Sequence, residues 1–347
     1  MNTIVTILLT VVIFMLIIMI HEFGHFVAAK ALHVKVHEFS IGFGPKIWKK
    51  KGKETLYSLR IFPIGGFVSL EGEDASSDDP NALSKKPVWA RFIVMAAGAA
   101  FNIISGFIAL LILCSSIQAF PTLEIGSLDT DIPNAPAPQV LQVGDKITAI
   151  NGSRLWSYSD LSFLMSAEAD GTETELTVKR AGEKLDIKMT PVFYEGAFKF
   201  GFAPKMEKAN VWTVTKYAFS ETLFTGRIVF YSLKMLVTGR VGISEVSGPV
   251  GTGAIIGDVV ELAQQQPKTG IPNLLNIFSL LAINVGIFNL IPFPALDGGR
   301  IFFLLIELIR RKPISPEKEG MVHFIGLALL LLLMVFVTSS DILKLFA

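Results

Sequence analysis

The sequence predicts a multi-pass α-helical membrane protein, with a helical core of four spans and two smaller regions of β structure. Of its 347 residues 51% are hydrophobic, and the mean hydropathy is +0.54; soluble domains of this length rarely reach such values. Four segments are apolar over enough residues to cross roughly 30 Å of hydrocarbon as helices. They lie at about 3–31, 88–117, 276–308 and 321–338.

Two of these spans have features of their own. No basic segment precedes the apolar run at 3–20 and no small-residue cleavage site follows it, so we expect a retained span instead of a signal peptide. Asn289, Pro292 and Pro294 interrupt the third span. A broken helix is tolerated in lipid only where protein or a water-filled cavity covers the freed backbone groups.

Basic residues predict the orientation. The loop between the first two spans and the loop before the fourth are rich in Lys and Arg, whereas the C-terminal tail has only Lys344. The positive-inside rule therefore places both loops in the cytoplasm, and both termini and the segment 118–275 on the outer side. The formal net charge of +1 gives no indication of a nucleic-acid partner.

The cytoplasmic loop is the first β-rich region. Residues 36–41 and 56–70 are rich in β-branched and aromatic side chains, and glycines punctuate both runs. The pattern predicts hairpins, which we expect to associate with the membrane on its cytoplasmic side.

The second β-rich region follows the second span. A strand pattern leads to the turn signal Asn151-Gly152, and a polar helix near 159–166 and strands near 175–179 and 184–189 come next. This order resembles a PDZ domain, a module that adds an extended peptide to a sheet edge. An ordinary small β domain without a ligand is the alternative.

Residues 211–238 are apolar in part, but Ser220, Arg227 and Lys234 recur every seven residues and form a polar stripe. We therefore expect an amphipathic helix on the outer membrane surface instead of a fifth span. The predicted division of the chain is two spans with the hairpin loop, the PDZ-like domain, an extracytoplasmic amphipathic segment and two further spans, at 1–117, 118–195, 196–275 and 276–347.

The motif His21-Glu22-Phe23-Gly24-His25 lies in the first span. Two histidines four residues apart share a helix face and can hold one metal ion, and Glu22 beside them can accept a proton from water. Ionisable side chains deep in a membrane helix cost roughly 2.5–3.5 kcal/mol each when charged, so they are usually functional.

A catalytic Zn²⁺ site usually has three protein ligands, and Asp297 is the candidate for the third. His21 and Asp297 each lie about twenty residues, roughly 30 Å of helix, from the outer end of a span that runs inward. Their side chains should therefore reach a similar depth; a helix-capping role for Asp297 is the alternative. His33, His37 and His323 are not assigned to the metal, and we expect His323 at the membrane interface.

This constellation predicts peptide hydrolysis, in which zinc activates water and Glu22 transfers its proton to the leaving amine. A substrate helix must unwind to expose its carbonyl groups. The Asn289 carboxamide can bind such a backbone, or it can make a helix–helix hydrogen bond instead. An unwound segment can also pair with the hairpin edge at Gly65, Gly66, Phe67 and Val68.

Several motifs together resemble the site-2 protease family, in its bacterial RseP-type branch. They cover nearly the whole chain and comprise the HEFGH motif, Gly42-Phe43-Gly44-Pro45, Pro63-Ile64-Gly65-Gly66-Phe67-Val68, Gly98 with Asn102, Gly248-Pro249-Val250-Gly251, and Asn289 through Asp297-Gly298.

The resemblance implies that His21, His25 and Asp297 bind zinc and that Glu22 is the catalytic acid and base. It implies an inner-membrane protease whose partners are single-span membrane proteins, such as trimmed anti-sigma factors, or remnant signal peptides. It also implies that the PDZ-like domain filters substrates by size. The proline-rich stretch at 129–139 departs from the family pattern and favours steric gating over peptide binding.

Two other functions are alternatives. A catalytically silent scaffold would bind partners through the PDZ-like domain, and a metal transporter would need a polar path and often shows inverted repeats. The intact ligand set argues against the first, and the lack of a repeat argues against the second. The sequence does not indicate the substrate, the cleavage position or the oligomeric state.

Overall fold

The computed structural model describes residues 3–73, 77–168, 171–239, 242, 248–265, 267–312 and 314–346. The helices are α1 (Thr3–Ala31), α2 (Val88–Cys114), α3 (Ala137–Val140), α4 (Tyr158–Glu168), α5 (Val211–Val237), α6 (Pro249–Gln265), α7 (Pro267–Leu290), α8 (Asp297–Arg310) and α9 (Pro316–Phe346). The strands are β1 (Val36–Lys51), β2 (Leu56–Leu70), β3 (Ala119–Leu128), β4 (Lys146–Ile150), β5 (Ser153–Arg154), β6 (Thr174–Arg180), β7 (Glu183–Met189), β8 (Val192–Tyr194), β9 (Ala197–Lys199) and β10 (Phe202–Lys208). The chain divides into two compact units, one formed by Met1–Ala109 with Thr225–Ala347 and the other by Leu110–Phe224.

In the described part of the chain, four helices are long and apolar enough to cross a membrane. They are α1, α2, α7 and α9, with spans at Ile7–Ala31, Val88–Cys114, Gly270–Leu290 and Glu317–Lys344. Among the described residues, α5 does not meet this criterion, in line with the charged side chains that interrupt it.

The third span is shorter than the sequence predicted. Helix α7 ends at Leu290 and the separate helix α8 begins at Asp297, so the expected span at 276–308 is two helices. Pro292 and Pro294 occupy the break, where their missing N–H groups end the helical hydrogen-bond ladder.

Helix α2 packs antiparallel to α1. A Cβ atom placed on Gly24 would lie 2.5 Å from the carbonyl oxygen of Ala97, so the two backbones touch there. Three residues earlier in α1, His21 faces Asn102, five residues later in α2. Because the contacts move in opposite directions along the chain, the two helices run in opposite directions.

Helix α7 also packs antiparallel to α2. The Ser279 hydroxyl donates to the carbonyl oxygen of Gly106 at 2.9 Å, and a Cβ atom on Gly286 would lie 2.8 Å from the carbonyl oxygen of Ala99. Helices α1 and α7 therefore run in the same direction. The intervening chain must begin and end at the same end of the helical core, which a single crossing by α5 would not allow.

Helix α6 packs directly on the spans. Ile256 is fully buried in a cluster that includes Ile13 and Ile17 of α1 and Ile277 of α7. The sequence placed the residues of α6 in the extracytoplasmic amphipathic segment 196–275 and predicted no separate helix for them. Of that segment, 240–241, 243–247 and 266 lie outside the described residues.

Helix α9 holds the start of α6. The carboxylate of Asp341, which is 3% exposed, accepts hydrogen bonds from the backbone N–H groups of Gly248 and Gly251, both at 2.8 Å. A carboxylate at a helix N-terminus satisfies amides that lack partners within the helix and complements the helix dipole.

Strands β1 and β2 are long and bent, and together they make four strand segments in the order 46–51, 56–60, 38–41 and 66–70. Among the described residues the last segment pairs only with the start of β1, and it lies close to α1. A Cβ atom on Gly66 would lie 3.5 Å from Cγ of Glu22. The predicted hairpins are therefore present, and one open edge lies beside the HExxH motif.

Glu38 fastens the strand segments of β1 and β2 to one another. Its carboxylate accepts hydrogen bonds from the Ser58 hydroxyl at 2.6 Å, the Arg60 guanidinium at 2.8 Å and the Lys46 ammonium at 2.9 Å. Burial by itself raises the pKa of this carboxyl, but the three hydrogen bonds outweigh burial and lower the pKa of Glu38 to about 2.

The second unit contains an antiparallel sheet in the order β10-β3-β4-β6-β7, with β5 paired to β4 and a separate β8–β9 hairpin. Its core includes the fully buried Ile125, Ile147 and Leu176. Asn151 and Gly152 have φ values of 45° and 75°, the positive pair that a two-residue type I′ turn requires.

The strands and the helix that the sequence predicted in this unit are present, and the PDZ-like assignment stays a prediction. Strand β10 joins the sheet beside β3, although the domain was expected to end at 195. Its pattern was hidden because Pro204 and three charged residues make up more than half of it.

Candidate metal centre

His21, His25 and Asp297 bring three donor atoms together. Nε2 of His21 lies 3.2 Å from Nε2 of His25, and Oδ2 of Asp297 lies 3.1 Å and 3.3 Å from these two nitrogens. Ligands about 2.0–2.1 Å from a tetrahedral zinc ion are separated by roughly 3.3 Å. The triangle therefore has the dimensions of one face of a zinc coordination shell.

The donor set also has the right chemistry for a cation. Oδ2 of Asp297 is a buried oxygen for which the described residues provide no hydrogen bond. Unpaired buried oxygens are costly, and so are lone pairs that face one another. A metal ion bound by all three atoms would remove both penalties.

Hydrogen bonds on the far side of each imidazole orient the rings. Nδ1 of His25 lies 2.8 Å from the carbonyl oxygen of Val94, to which it must donate, so Nε2 keeps its lone pair for a metal. Nδ1 of His21 lies 3.5 Å from the fully buried carboxamide of Asn102. The Asn102 oxygen has no partner among the described residues, and rotation of the amide would present it to Nδ1 as an acceptor.

Gly98 makes room for both rings. A Cβ atom at this position would overlap Nε2 of His25 and lie 2.8 Å from Nε2 of His21. The backbone of α2 therefore passes directly behind the donor atoms, and any side chain here would occupy their space.

The break between α7 and α8 places Asp297 opposite the histidines. Asp297 is the first residue of α8, and two glycines follow it. Cβ atoms on Gly298 and Gly299 would collide with the carbonyl groups of Ile291 and Phe293. The chain can therefore fold back sharply enough to turn a carboxylate at a helix N-terminus towards α1.

A cavity of about 220 Å³ opens on the donor atoms. Glu22 lines it, and its carboxyl interacts with both histidines and with Asp297. The remaining lining residues come from β2 and the turn that follows it, from α2, from the turn before α8 and from α8 itself, and they are Phe67, Val68, Leu70, Glu73, Met95, Ala295, Leu296 and Arg300.

The predicted substrate-binding residues occupy different positions. Phe67 and Val68 line this cavity, and Gly66 lies beside Glu22 on the open β2 edge. Gly65 has φ +91°, a backbone conformation that glycine adopts without strain, and it lies just before the paired part of the edge. Asn289 is at the end of α7, where its amide donates to the carbonyl oxygen of Val285, one turn earlier, at 3.0 Å.

Sequence reasoning missed several residues that build this site. Arg300 lines the cavity and pairs with Glu73, and His323 contacts the turn before Asp297. The adjacent Gly299-Arg300 in the motif was a usable signal for the arginine. No local pattern indicates His323, because its partner lies 28 residues away in the chain.

Comparison with known proteins identifies the family. The family model described as Peptidase family M50 matches residues 9–333. The chain belongs to this peptidase family. The site-2 protease family predicted from the sequence is thus confirmed, and so is the predicted class of enzyme, a metallopeptidase.

The chain also matches individual bacterial proteins over nearly its full length and theirs. A protein of Clostridium acetobutylicum is 36% identical over 341 residues, which cover 97% of each chain. Regulator of sigma-W protease RasP of Bacillus subtilis is 33% identical, with 98% of this chain and 99% of the relative covered. Zinc metalloprotease RasP of Bacillus licheniformis is 32% identical, with both chains covered completely. Together with the four apolar helices, these matches make the chain a multi-pass membrane protein.

Proposed function

We propose that this M50 peptidase is a zinc endopeptidase that hydrolyses peptide bonds within transmembrane segments of other proteins. The observation that carries the proposal is the triangle of donor atoms formed by His21, His25 and Asp297. It lies eighteen residues into α1, about 27 Å along the helix, and so within a span.

The metal is zinc, which the two imidazoles and one carboxylate suit and which the name of the Bacillus licheniformis relative specifies. When bound, zinc supplies a Lewis acid that polarises the scissile carbonyl and makes water more acidic. The residues of the protein transfer the protons. Glu22 accepts a proton from the attacking water at its carboxylate and delivers that proton to the leaving amine.

The open β2 edge holds the unwound substrate. An extended peptide added beside 66–68 would run along the cavity wall that Phe67 and Val68 form, with Glu22 next to it. Main-chain hydrogen bonds to such an edge provide affinity for any sequence. The hydrogen bond from Asn289 to the carbonyl oxygen of Val285 supports a structural role for Asn289 within α7. Its position beside the break between α7 and α8 supports substrate binding as the alternative role.

We place the site in the cytoplasmic half of the bacterial inner membrane, with both termini and the PDZ-like domain on the outer side. The basic loops support this orientation. The hairpin region carries exposed Phe43, Trp48 and Phe62 among its lysines, which supports its association with the inner membrane surface. The four parts proposed from the sequence are 1–117, 118–195, 196–275 and 276–347, and the pairing of β10 with β3 favours extending the second of them to 208.

The partners that fit this reaction are single-span membrane proteins. Anti-sigma factors are candidates, since one relative is named as a regulator of sigma-W, and remnant signal peptides share the same chemistry. The PDZ-like domain acts as a size filter in this proposal.

The test compares purified wild type with Glu22→Gln. Both should contain one zinc ion per chain, and only the wild type should cleave a single-span substrate in detergent or liposomes, with at least a 10³-fold difference in rate. Glu207→Gln, at an exposed position of β10, is the matched control and should cleave normally. A wild type without metal would refute the proposal, as would cleavage by Glu22→Gln; zinc flux into liposomes would indicate a transporter instead.

A further inference from the structure

The turn before Asp297 has an unusual backbone. The N–H group of Leu296 donates to the carbonyl oxygen of Phe293 at 3.2 Å, which closes a four-residue β-turn with Pro294 second and Ala295 third. Ala295 has φ +78°. A positive φ at the third position after proline at the second defines a type II turn, which normally has glycine or asparagine at the third position.

Alanine does not adopt this conformation readily. A positive φ brings Cβ close to the backbone and costs roughly 1–2 kcal/mol in a residue other than glycine. The alternative type I turn would avoid this cost, but it would turn the peptide group between Pro294 and Ala295 to the opposite side. An interaction with that peptide group is therefore needed to keep the turn as it is.

His323 supplies the interaction. The N–H group of Ala295, which belongs to the central peptide of the turn, donates to Nδ1 of His323 at 2.9 Å. Because Nδ1 accepts this N–H group, the neutral ring carries its proton on Nε2, which lies 3.8 Å from the carboxylate of Glu319. In a type I turn the N–H group of Ala295 would point away from this acceptor.

One helical turn further along α9, Gly326 supports the same segment. A Cβ atom at Gly326 would overlap Pro294, so the backbone of α9 lies directly on the proline ring. The His323 ring also packs beside Phe303 of α8, with 5.7 Å between the ring centroids. Helix α9 therefore contacts the turn through one hydrogen bond and one close backbone approach.

We propose that His323 is a positioning residue for the metal centre. By holding the Pro294–Ala295 peptide in its type II orientation, it fixes where α8 begins and thereby holds the Asp297 carboxylate 3.1–3.3 Å from the two imidazoles. Gly326 allows α9 to approach closely enough to do so. This inference rests on the proposed function, because it concerns the third metal ligand of that site.

The test measures zinc affinity in the purified full-length protein by competition with a chelator. His323→Leu removes the acceptor at similar volume and should weaken zinc binding by about 10- to 100-fold, the range for residues that orient metal ligands. His323→Asn places an amide oxygen where Nδ1 was and should stay within about threefold of wild type. Gly320→Ala, on the same helix with open space around it, is the control and should bind zinc like wild type.

A second variant separates positioning from general packing. Glycine adopts a positive φ without strain, so Ala295→Gly combined with His323→Leu should recover most of the lost affinity. Equal zinc affinity in His323→Leu and wild type would overturn the inference, and so would a failure of Ala295→Gly to restore it. If wild type itself bound no zinc, the proposed function would fail first, which keeps the two failures distinguishable.

Discussion

Glycine residues determine how closely the three donor atoms can approach one another. Gly98 lets the α2 backbone pass behind the two imidazoles, and Gly298 and Gly299 let α8 fold back on the end of α7. None of these positions supplies a ligand. They are nevertheless as necessary to the site geometry as the ligands, because each removes a side chain from the space that a ligand or its backbone occupies.

Gly98→Ala tests this requirement most directly. The added methyl would overlap Nε2 of His25, so at least one imidazole must move, and we expect zinc content to fall at least tenfold. Gly253→Ala, in α6, is the control, since its methyl would lie 3.8 Å from the side chain of Thr10, an ordinary van der Waals contact away from the donor atoms. Metal analysis of the two purified variants checks the prediction, which full zinc occupancy in Gly98→Ala would contradict.

The sequence predicted the donor residues because their spacing carries the signal. His21 and His25 share a helix face by periodicity alone, and the equal depth of Asp297 follows from the direction of two spans. Of the residues that orient these donors, Asn102 stood among the motifs that resemble the family but had no role assigned to it, and His323 stood in none of them. Asn102 and His323 act across distances of 81 and 28 residues, and only the packed helices bring them to their partners.

Strands β1 and β2 form the element that carries the proposed substrate-binding edge, and Glu38 ties their segments together. Its carboxyl has a pKa of about 2 in the fold, against an ordinary value of 4.5. The folded form therefore binds fewer protons than the unfolded form between these values. Stability from Glu38 is complete above about pH 4.5 and is lost as the pH falls towards 2.

We expect amide protection in 36–70 to fall over this pH window in the wild type, by at most about 3 kcal/mol at 1.36 kcal/mol per pKa unit. Glu38→Gln should lack this pH step and should be less protected than wild type at pH 6. Hydrogen–deuterium exchange, corrected for intrinsic rates, measures both, with Glu207→Gln as the control. An unchanged pH step in Glu38→Gln would assign the effect to other carboxyls.

Secondary-structure elements were predicted well where a helical or strand periodicity dominates the local sequence. They were predicted less well where contacts with distant helices determine the start, the end or the burial of an element. The Asn151-Gly152 turn and the strands around it follow from local chemistry. Helix α6 did not stand out, because it is short and its burial depends on α1 and α7. The end of the third span was misplaced because α8 continues the apolar pattern of α7 after the proline break.

The molecule as a whole has α1 and α7 running in one direction and α2 running in the other. This arrangement agrees with both basic loops lying on one side of the membrane. In that case α2 begins on the side on which α7 ends, and the two helices must run in opposite directions. The helix directions do not say which side of the membrane faces the cytoplasm, and the proposed orientation specifies that side.

Cysteine labelling tests that orientation, because the chain has a single cysteine, Cys114, which is buried. In a Cys114→Ala background, a membrane-impermeant maleimide should label Glu207→Cys in intact spheroplasts. It should label Lys50→Cys only after the membrane is permeabilised. Both target positions are exposed, so poor access within the fold does not explain a negative result. The reverse pattern would invert the proposed orientation.

The bond from Asp341 to the start of α6 joins residues 93 positions apart. During synthesis α6 is made well before α9. The first backbone N–H groups of α6 therefore lack the Asp341 carboxylate as an acceptor until the final span has been made. The same span brings His323 to the turn that carries Asp297. A nascent chain that lacks α9 has neither of these contacts, so we expect the proposed metal centre to reach its final geometry only after the last helix has entered the membrane.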